Sequence, residues 1–264
     1  MTIDARVPDQ AAALPDGGAM PLLGFGTWQI RGADASKAVG WALDAGYRHL
    51  DTATVYGNEA EVGAALRESG LDRDEVFVTT KMPGGGTGQE SATLDQSLQK
   101  LGTDHVDLWL IHWPTDGAAN VPMWQALIDA NRQGLARAIG VSNYSLAMID
   151  ELVSATGVTP AVNQIEWSPL LFDQSIVDGH RERNVVVEGY SALRGGTLEH
   201  PAILEIAQRQ GRSTAQVIIR WHLQHGVVAI PKSTNPDRIR SNADLAGFEL
   251  SADDMAALDG LGTA

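Results

Sequence analysis

The chain has no cysteine among its 264 residues, which excludes disulfides, thiolate metal sites and cysteine nucleophiles. Positive charge is scarce. Nineteen Lys and Arg stand against 33 Asp and Glu, a formal net charge of −14, so phosphate backbones and anionic bilayers are repelled over most of the surface. Neither nucleic acid nor membrane is expected as a partner. No apolar run approaches the ~18 residues of a membrane helix. The opening MTIDARVPDQ carries Asp4 and Asp9 and lacks the apolar stretch of a signal peptide. A G-x-G-x-x-G dinucleotide fingerprint is missing as well. A soluble cytoplasmic protein is the expectation, and low net hydrophobicity with strong charge favours a monomer.

What is present is rhythm. A hydrophobic content of 44% supports a sizeable core. Short apolar runs near 24–28, 48–53, 76–81, 106–112, 137–142, 161–166, 185–190 and 227–231 read as strands. Helical-period segments near 34–45, 58–69, 89–101, 121–133, 145–155, 173–183, 201–210, 213–225 and 236–243 lie between or beyond them. Strands that are apolar throughout suit a parallel sheet covered on its outside. Eight strand-plus-helix units in one domain spanning 1–264 predict an α/β fold, a (β/α)8 TIM barrel. Ser145 and Asn58 stand where helix N-caps are expected, and Gly70, Gly102, Gly134, Gly157 and Gly226 follow helical stretches. AAALPDGGAMPLL reads as a hairpin around Asp16-Gly17-Gly18, placed to plug the lower mouth of the barrel.

The strand ends carry the chemistry. Asp51 closes one strand with Tyr56 just beyond it, Lys81 closes a second and His112 a third. A parallel barrel brings such ends to one face, where its active sites are built. A phenol beside a cation suits proton donation to a carbonyl. Taken singly, Asp51 and Lys81 also suit a buried ion pair, Tyr56 a packed aromatic and His112 a satisfied strand-end histidine. Their joint placement points to a site. The Gly84–Gly88 patch fits no phosphate-loop pattern and reads as a flexible loop. His222 and His225 share a helix face, but no third ligand accompanies them, and no metal is expected.

Seven stretches together resemble one family: PLLGFGTWQI (21–30), DAGYRHLDTATVYGNEAEVG (44–63), LGTDHVDLWLIHWP (101–114), GLARAIGVSNYS (134–145), AVNQIEWSPL (161–170), VEGYSALRGG (187–196) and AIPKSTNPDRIRSN (229–242). The chain is similar to the aldo-keto reductases, especially the bacterial 2,5-diketo-D-gluconate reductase-like members. The resemblance implies the same barrel and NADPH-dependent reduction of aldehydes or ketones, including dicarbonyls and ketosugars. It implies a catalytic tetrad of Asp51, Tyr56, Lys81 and His112. Tyr56 would be the acid, its pKa lowered by Lys81; Asp51 would orient the ammonium, and His112 would hydrogen-bond the carbonyl.

The same resemblance implies an NADPH/NADP+ site. Ser142, Asn143 and Gln164 match positions that hold the nicotinamide carboxamide, and Tyr190 matches the ring stacked on it. Thr27, Trp28, Ser191 and Leu193 complete that side. Lys232, Ser233, Thr234, Arg238 and Asn242 match the adenosine-phosphate grip, near the N–H groups of the next helix start. Arg240 belongs to the same cationic cluster but admits a solvent-facing reading more readily than Lys232 or Arg238, and Ser241 stands where the family often has Glu, which loosens the implied NADPH preference. Trp28, Val55, Tyr56, His112 and Trp113 would line the small-molecule carbonyl site, whereas Trp167 and Phe172 read as packing. Short segments after His112 and Tyr190, and a chain ending at LDGLGTA, lead to the expectation of an open, broadly specific pocket. The alternative from another class is a nucleotide-binding module with little turnover, which the full tetrad disfavours.

Overall fold

The computed structural model describes residues 10–15, 18–85, 87–115, 119–194 and 196–263. Two short strands, β1 (Ala11–Ala13) and β2 (Ala19–Pro21), pair antiparallel with Ala11 opposite Pro21. The expected hairpin is therefore there, although Asp16 and Gly17 at its tip lie outside the described residues. Eight strands follow in one parallel sheet in chain order: β3 (Phe25–Gly26), β4 (His49–Asp51), β5 (Phe77–Met82), β6 (Val106–Ile111), β7 (Ala136–Ser142), β8 (Val162–Glu166), β9 (Val186–Tyr190) and β10 (Val228–Ala229). A parallel bridge between Leu23 and Ala229 closes the sheet on itself, with Gly24 N–H donating to Ala229 O and Ala229 N–H to Leu22 O. Gly26 sits in this seam. A Cβ there would lie 2.7 Å from the Ile230 carbonyl oxygen, so only glycine lets the first and last strands approach this closely.

β5 is buried from Val78 to Met82 and β6 throughout, as strands covered on both faces must be. The cover is a ring of helices: α1 (Ala33–Asp44), α2 (Glu59–Glu68), α3 (Glu90–Leu101), α4 (Asn120–Arg132), α5 (Leu146–Thr156), α6 (Gln174–Glu182), α7 (Pro201–Gln210), α8 (Thr214–Gln224), α9 (Pro236–Ala243) and α10 (Ala252–Asp259). α1, for example, buries the apolar stripe Ala35, Ala38, Val39, Ala42 and Leu43. Ser145 caps α5 by accepting from Met148 N–H, and all five predicted post-helix glycines take positive φ. The hairpin covers the opposite end of the barrel from the site, with Leu14 and Met20 buried and β1 lying beside the starts of β9 and β10.

Asn58 departs from its expected role. It precedes α2, but its side chain makes no cap hydrogen bond. Instead its amide N–H groups donate to Thr27 O at 2.9 Å and Ile30 O at 2.8 Å, while its Oδ1 accepts from Thr52 Oγ1 at 2.7 Å. The buried amide ties the loop after β3 to the loop after β4, a stronger demand than one exposed helix end makes.

Candidate active site

Asp51 is the last residue of β4 and Lys81 the penultimate residue of β5, so the barrel puts them on neighbouring strands, both buried. Lys81 Nζ donates to Asp51 Oδ2 at 2.6 Å and to Thr52 O at 3.0 Å, and lies 3.3 Å from Tyr56 Oη. Tyr56 rides on a 3₁₀ turn, Thr54–Tyr56, anchored by Thr54 Oγ1 donating to Lys81 O. The chain around the phenol is thus fastened to the strand that carries the ammonium. His112, one residue past β6, meets Tyr56 edge to face with ring centroids 5.6 Å apart.

Burial works against the Lys81 ammonium, but Asp51 and Tyr56 outweigh it and hold the group charged well above the ordinary lysine range. The same balance corrects one expectation. Tyr56 is not lowered: its burial raises the phenol above its ordinary value, and Lys81 offsets only part of that. His112 goes the other way, pushed down to about 4 by burial and then by Lys81, so its imidazole is neutral at pH 7. At pH 7 the site holds a protonated phenol, a neutral imidazole and a charged ammonium behind them.

Next to this group, Gln164 Nε2 donates to Asp51 Oδ2 at 2.9 Å and to Glu188 Oε2 at 2.8 Å. Ser142 Oγ donates to Gln164 O at 2.9 Å. Asn143, held at φ 65°, donates through Nδ2 to His112 O and Ser142 Oγ, and its Oδ1 accepts from Tyr190 Oη at 2.8 Å. Four of the residues assigned to the nicotinamide therefore form one hydrogen-bonded wall. Glu188 and His49 escaped the sequence reading. Both are fully buried, and His49 Nε2 lies 3.6 Å from Glu188 Oε1. The signal was available in VVVEGY, where one carboxyl interrupts an apolar strand and needs a partner. Burial, then the proximity of Asp51, raises Glu188 to about 8, and burial lowers His49 to about 4.

These residues border a cavity of about 990 Å³ that runs from Val55, Tyr56, His112 and Trp113 across Trp28, Gln164, Tyr190, Ser191 and Leu193 to Lys232, Ser233, Arg238 and Asn242. Trp28, Val55 and Trp113 form an exposed rim, at 42%, 56% and 53% accessible, and Arg194 lies over the Trp28 ring at 5.1 Å. At the far end Lys232 and Arg238 are exposed and form no ion pair among the described residues, whereas Arg240 turns to Asp237 at 3.6 Å. Two unpaired cations at one end, a carboxamide wall at the other and a volume at the upper end of small-ligand sites fit an extended anionic dinucleotide.

Other assignments fall elsewhere. Thr27 is buried, its hydroxyl donating to Asp51 O at 2.9 Å, and Thr234 is exposed; neither lines the cavity. Asn235 accepts from the N–H groups of Asp237 and Arg238, so those two donors at the start of α9 are already engaged. Trp167 and Phe172 pack with Trp221 in the core. His222 contacts the Ile218 and Trp167 carbonyls and His225 pairs with Asp259 at 2.8 Å; among the described residues no group of three ligands could hold a metal. Gly84 and Gly85 border a shallow recess beside Val55, His112 and Trp113, away from the cationic end; Gly86 and residues 116–118 lie outside the described residues.

The sequence pattern described as "Aldo/keto reductase family" matches residues 22–263. An aldo-keto reductase of Mycolicibacterium smegmatis is 46% identical over 96% of this chain and 92% of its own. The crystal structure of an aldo/keto reductase from Brucella melitensis superposes with a TM-score of 0.93 at 41% identity, covering 97% of this chain and 98% of that one. A Bombyx mori aldo-keto reductase solved in complex with NADP superposes with a TM-score of 0.89 at 34% identity, over 97% and 93% of the two chains.

Proposed function

Because the chain belongs to the aldo/keto reductase family, we propose that it reduces small aldehydes, ketones and dicarbonyls, ketosugars among them, to alcohols with NADPH. The observation that carries this reading is Lys81 Nζ, paired with Asp51 at 2.6 Å and reaching Tyr56 Oη at 3.3 Å at the mouth of the cavity. Held by Ser142, Asn143, Gln164 and Tyr190, NADPH would supply the hydride. The protein's own residues supply the rest. A carbonyl oxygen placed between Tyr56 and His112 meets a protonated phenol and a neutral imidazole able to donate an N–H. As negative charge develops on that oxygen, Tyr56 gives up its proton. The phenolate left behind faces the Lys81 ammonium, which favours that charge.

The raised Tyr56 phenol is protonated at pH 7, so the donor form is populated, and Lys81, which pulls its pKa the other way, eases release of that proton. Asp51 keeps Lys81 charged in a dry site and fixes its position. Lys232 and Arg238 would hold the 2′-phosphate that distinguishes NADPH from NADH, supported by the exposure of both side chains and by their forming no ion pair among the described residues. Ser142, Asn143 and Gln164 would seat the carboxamide, and Tyr190 would pack against the ring. The exposed Trp28, Val55 and Trp113 rim suits several small carbonyls rather than one. Among the described residues no helix is long and apolar enough to cross a membrane; the reading proposed is of a cytoplasmic monomer working as one domain. The test is NADPH oxidation, followed by absorbance, with a panel of aldehydes, ketones, dicarbonyls and ketosugars. Turnover with at least one class is expected; tight NADPH binding with no turnover on any would make the chain a nucleotide-binding module instead.

A further inference from the structure

We infer that Glu188 is a positioning residue for the cofactor: by holding Gln164 Nε2 it turns Gln164 Oε1 into the acceptor offered to the nicotinamide carboxamide N–H. The assignment rests on the reductase reading but concerns a residue that reading does not use. β8 and β9 pair with Gln164 opposite Glu188, so the two side chains emerge on the same inner face of the barrel. Gln164 has two amide N–H donors, and both are used, one on Asp51 Oδ2 and one on Glu188 Oε2. Asp51 Oδ2 already accepts from Lys81, and so it must face an N–H and not a carbonyl.

With both donors turned into the barrel, Oε1 is the polar atom that remains. It forms no hydrogen bond with any described residue, although Gln164 lines the cavity. Its neighbours are less available: Ser142 Oγ donates to Gln164 O, and the Asn143 amide spans His112 O and Tyr190 Oη. One anchor would leave a long, flexible amide free to rotate; two fix it. Glu188 in turn is enclosed by Gln164, Asp51 and Lys81, and by His49 beside Thr79. Raised to about 8, it is largely protonated at pH 7 and adds little repulsion to Asp51. Neutral His49 on its other side adds no charge.

The test separates the two halves of the cofactor and needs no turnover. Titration of wild type, Glu188→Leu and Glu188→Gln with NADPH and with 2′,5′-ADP, read by quenching of the seven tryptophans, isolates the nicotinamide contribution. Glu188→Leu is expected to weaken NADPH roughly tenfold while leaving 2′,5′-ADP unchanged, about the value of one buried hydrogen bond. Glu188→Gln, whose amide oxygen can accept the same N–H, should restore NADPH affinity to within about twofold. Equal weakening of both ligands in Glu188→Leu, or of neither, overturns the assignment. A wild type that binds neither ligand overturns the cofactor reading and this assignment together. A wild type that binds NADPH but reduces no carbonyl overturns the reductase reading alone, and the split between the two ligands still decides for or against Glu188.

Discussion

Two lysines of this barrel make opposite use of the same charge. Lys81 is fully buried, held at 2.6 Å by Asp51 and at 3.0 Å by a backbone carbonyl. Lys232 stands exposed at the other end of the same cavity with no ion-pair partner among the described residues. A buried ammonium must be neutralised by its own protein, because desolvation is costly and an orphaned charge would unfold the site. An exposed one can wait for a ligand to neutralise it. The first arrangement suits charge that develops during a reaction, and the second suits charge that arrives with a molecule. The difference suits the roles proposed above, Lys81 in chemistry and Lys232 in binding.

The contrast can be broken from either side. Lys81→Met leaves Asp51 buried with Gln164 as its one side-chain partner among the described residues, and should cost about 3–5 kcal/mol of stability as well as turnover. Urea unfolding measures it, and adding Asp51→Asn should recover part of the loss, as coupled partners do. Replacing Lys232 and Arg238 together by Ala should leave the fold untouched and weaken NADPH about tenfold to a hundredfold. NADH affinity and the turnover number at saturating NADPH should scarcely move. Added salt should weaken NADPH binding to the wild type more than to the double variant; equal loss of NADPH and NADH affinity would take the 2′-phosphate away from these residues.

A further expected effect concerns pH. His222, like His49, is fully buried and lowered to about 4, chiefly by burial. An unfolded chain protonates such a histidine below ~6.5, so the unfolded state binds more protons than the folded state between that pH and about 4. Stability from each is complete above pH 6.5 and is lost as pH falls toward 4, roughly 2 kcal/mol per histidine by pH 5. Urea midpoints at pH 7 and pH 5 check this, and His222→Gln should flatten the dependence by removing one titrating group.

Much of this was legible in the sequence because it is periodic or positional. Apolar runs located all eight barrel strands, since a strand buried on both faces has little freedom in composition. Asp51, Lys81 and His112 were legible because strand ends in a parallel barrel must meet. What escaped depends on register and direction. That Gln164 faces Glu188 follows from a pairing across β8 and β9 that no local pattern encodes. Asn58 looks like a helix cap in one dimension, and only in three dimensions do Thr27 O and Ile30 O claim its amide. The rise in the Tyr56 pKa escaped too, because the sequence shows that Lys81 is near but not how dry the phenol is.

The most direct measurement is single-turnover NADPH oxidation by Tyr56→Phe with the aldehyde that the wild type reduces fastest, alongside NADPH affinity. The substitution removes one hydroxyl beside Lys81 and touches nothing at the Lys232 end of the cavity. Unchanged NADPH affinity with a rate lowered about 10²- to 10⁴-fold is the result expected of a lost general acid. A variant that oxidises NADPH at the wild-type rate would contradict the assignment of the proton to Tyr56 and, with it, the catalytic role of the buried ammonium.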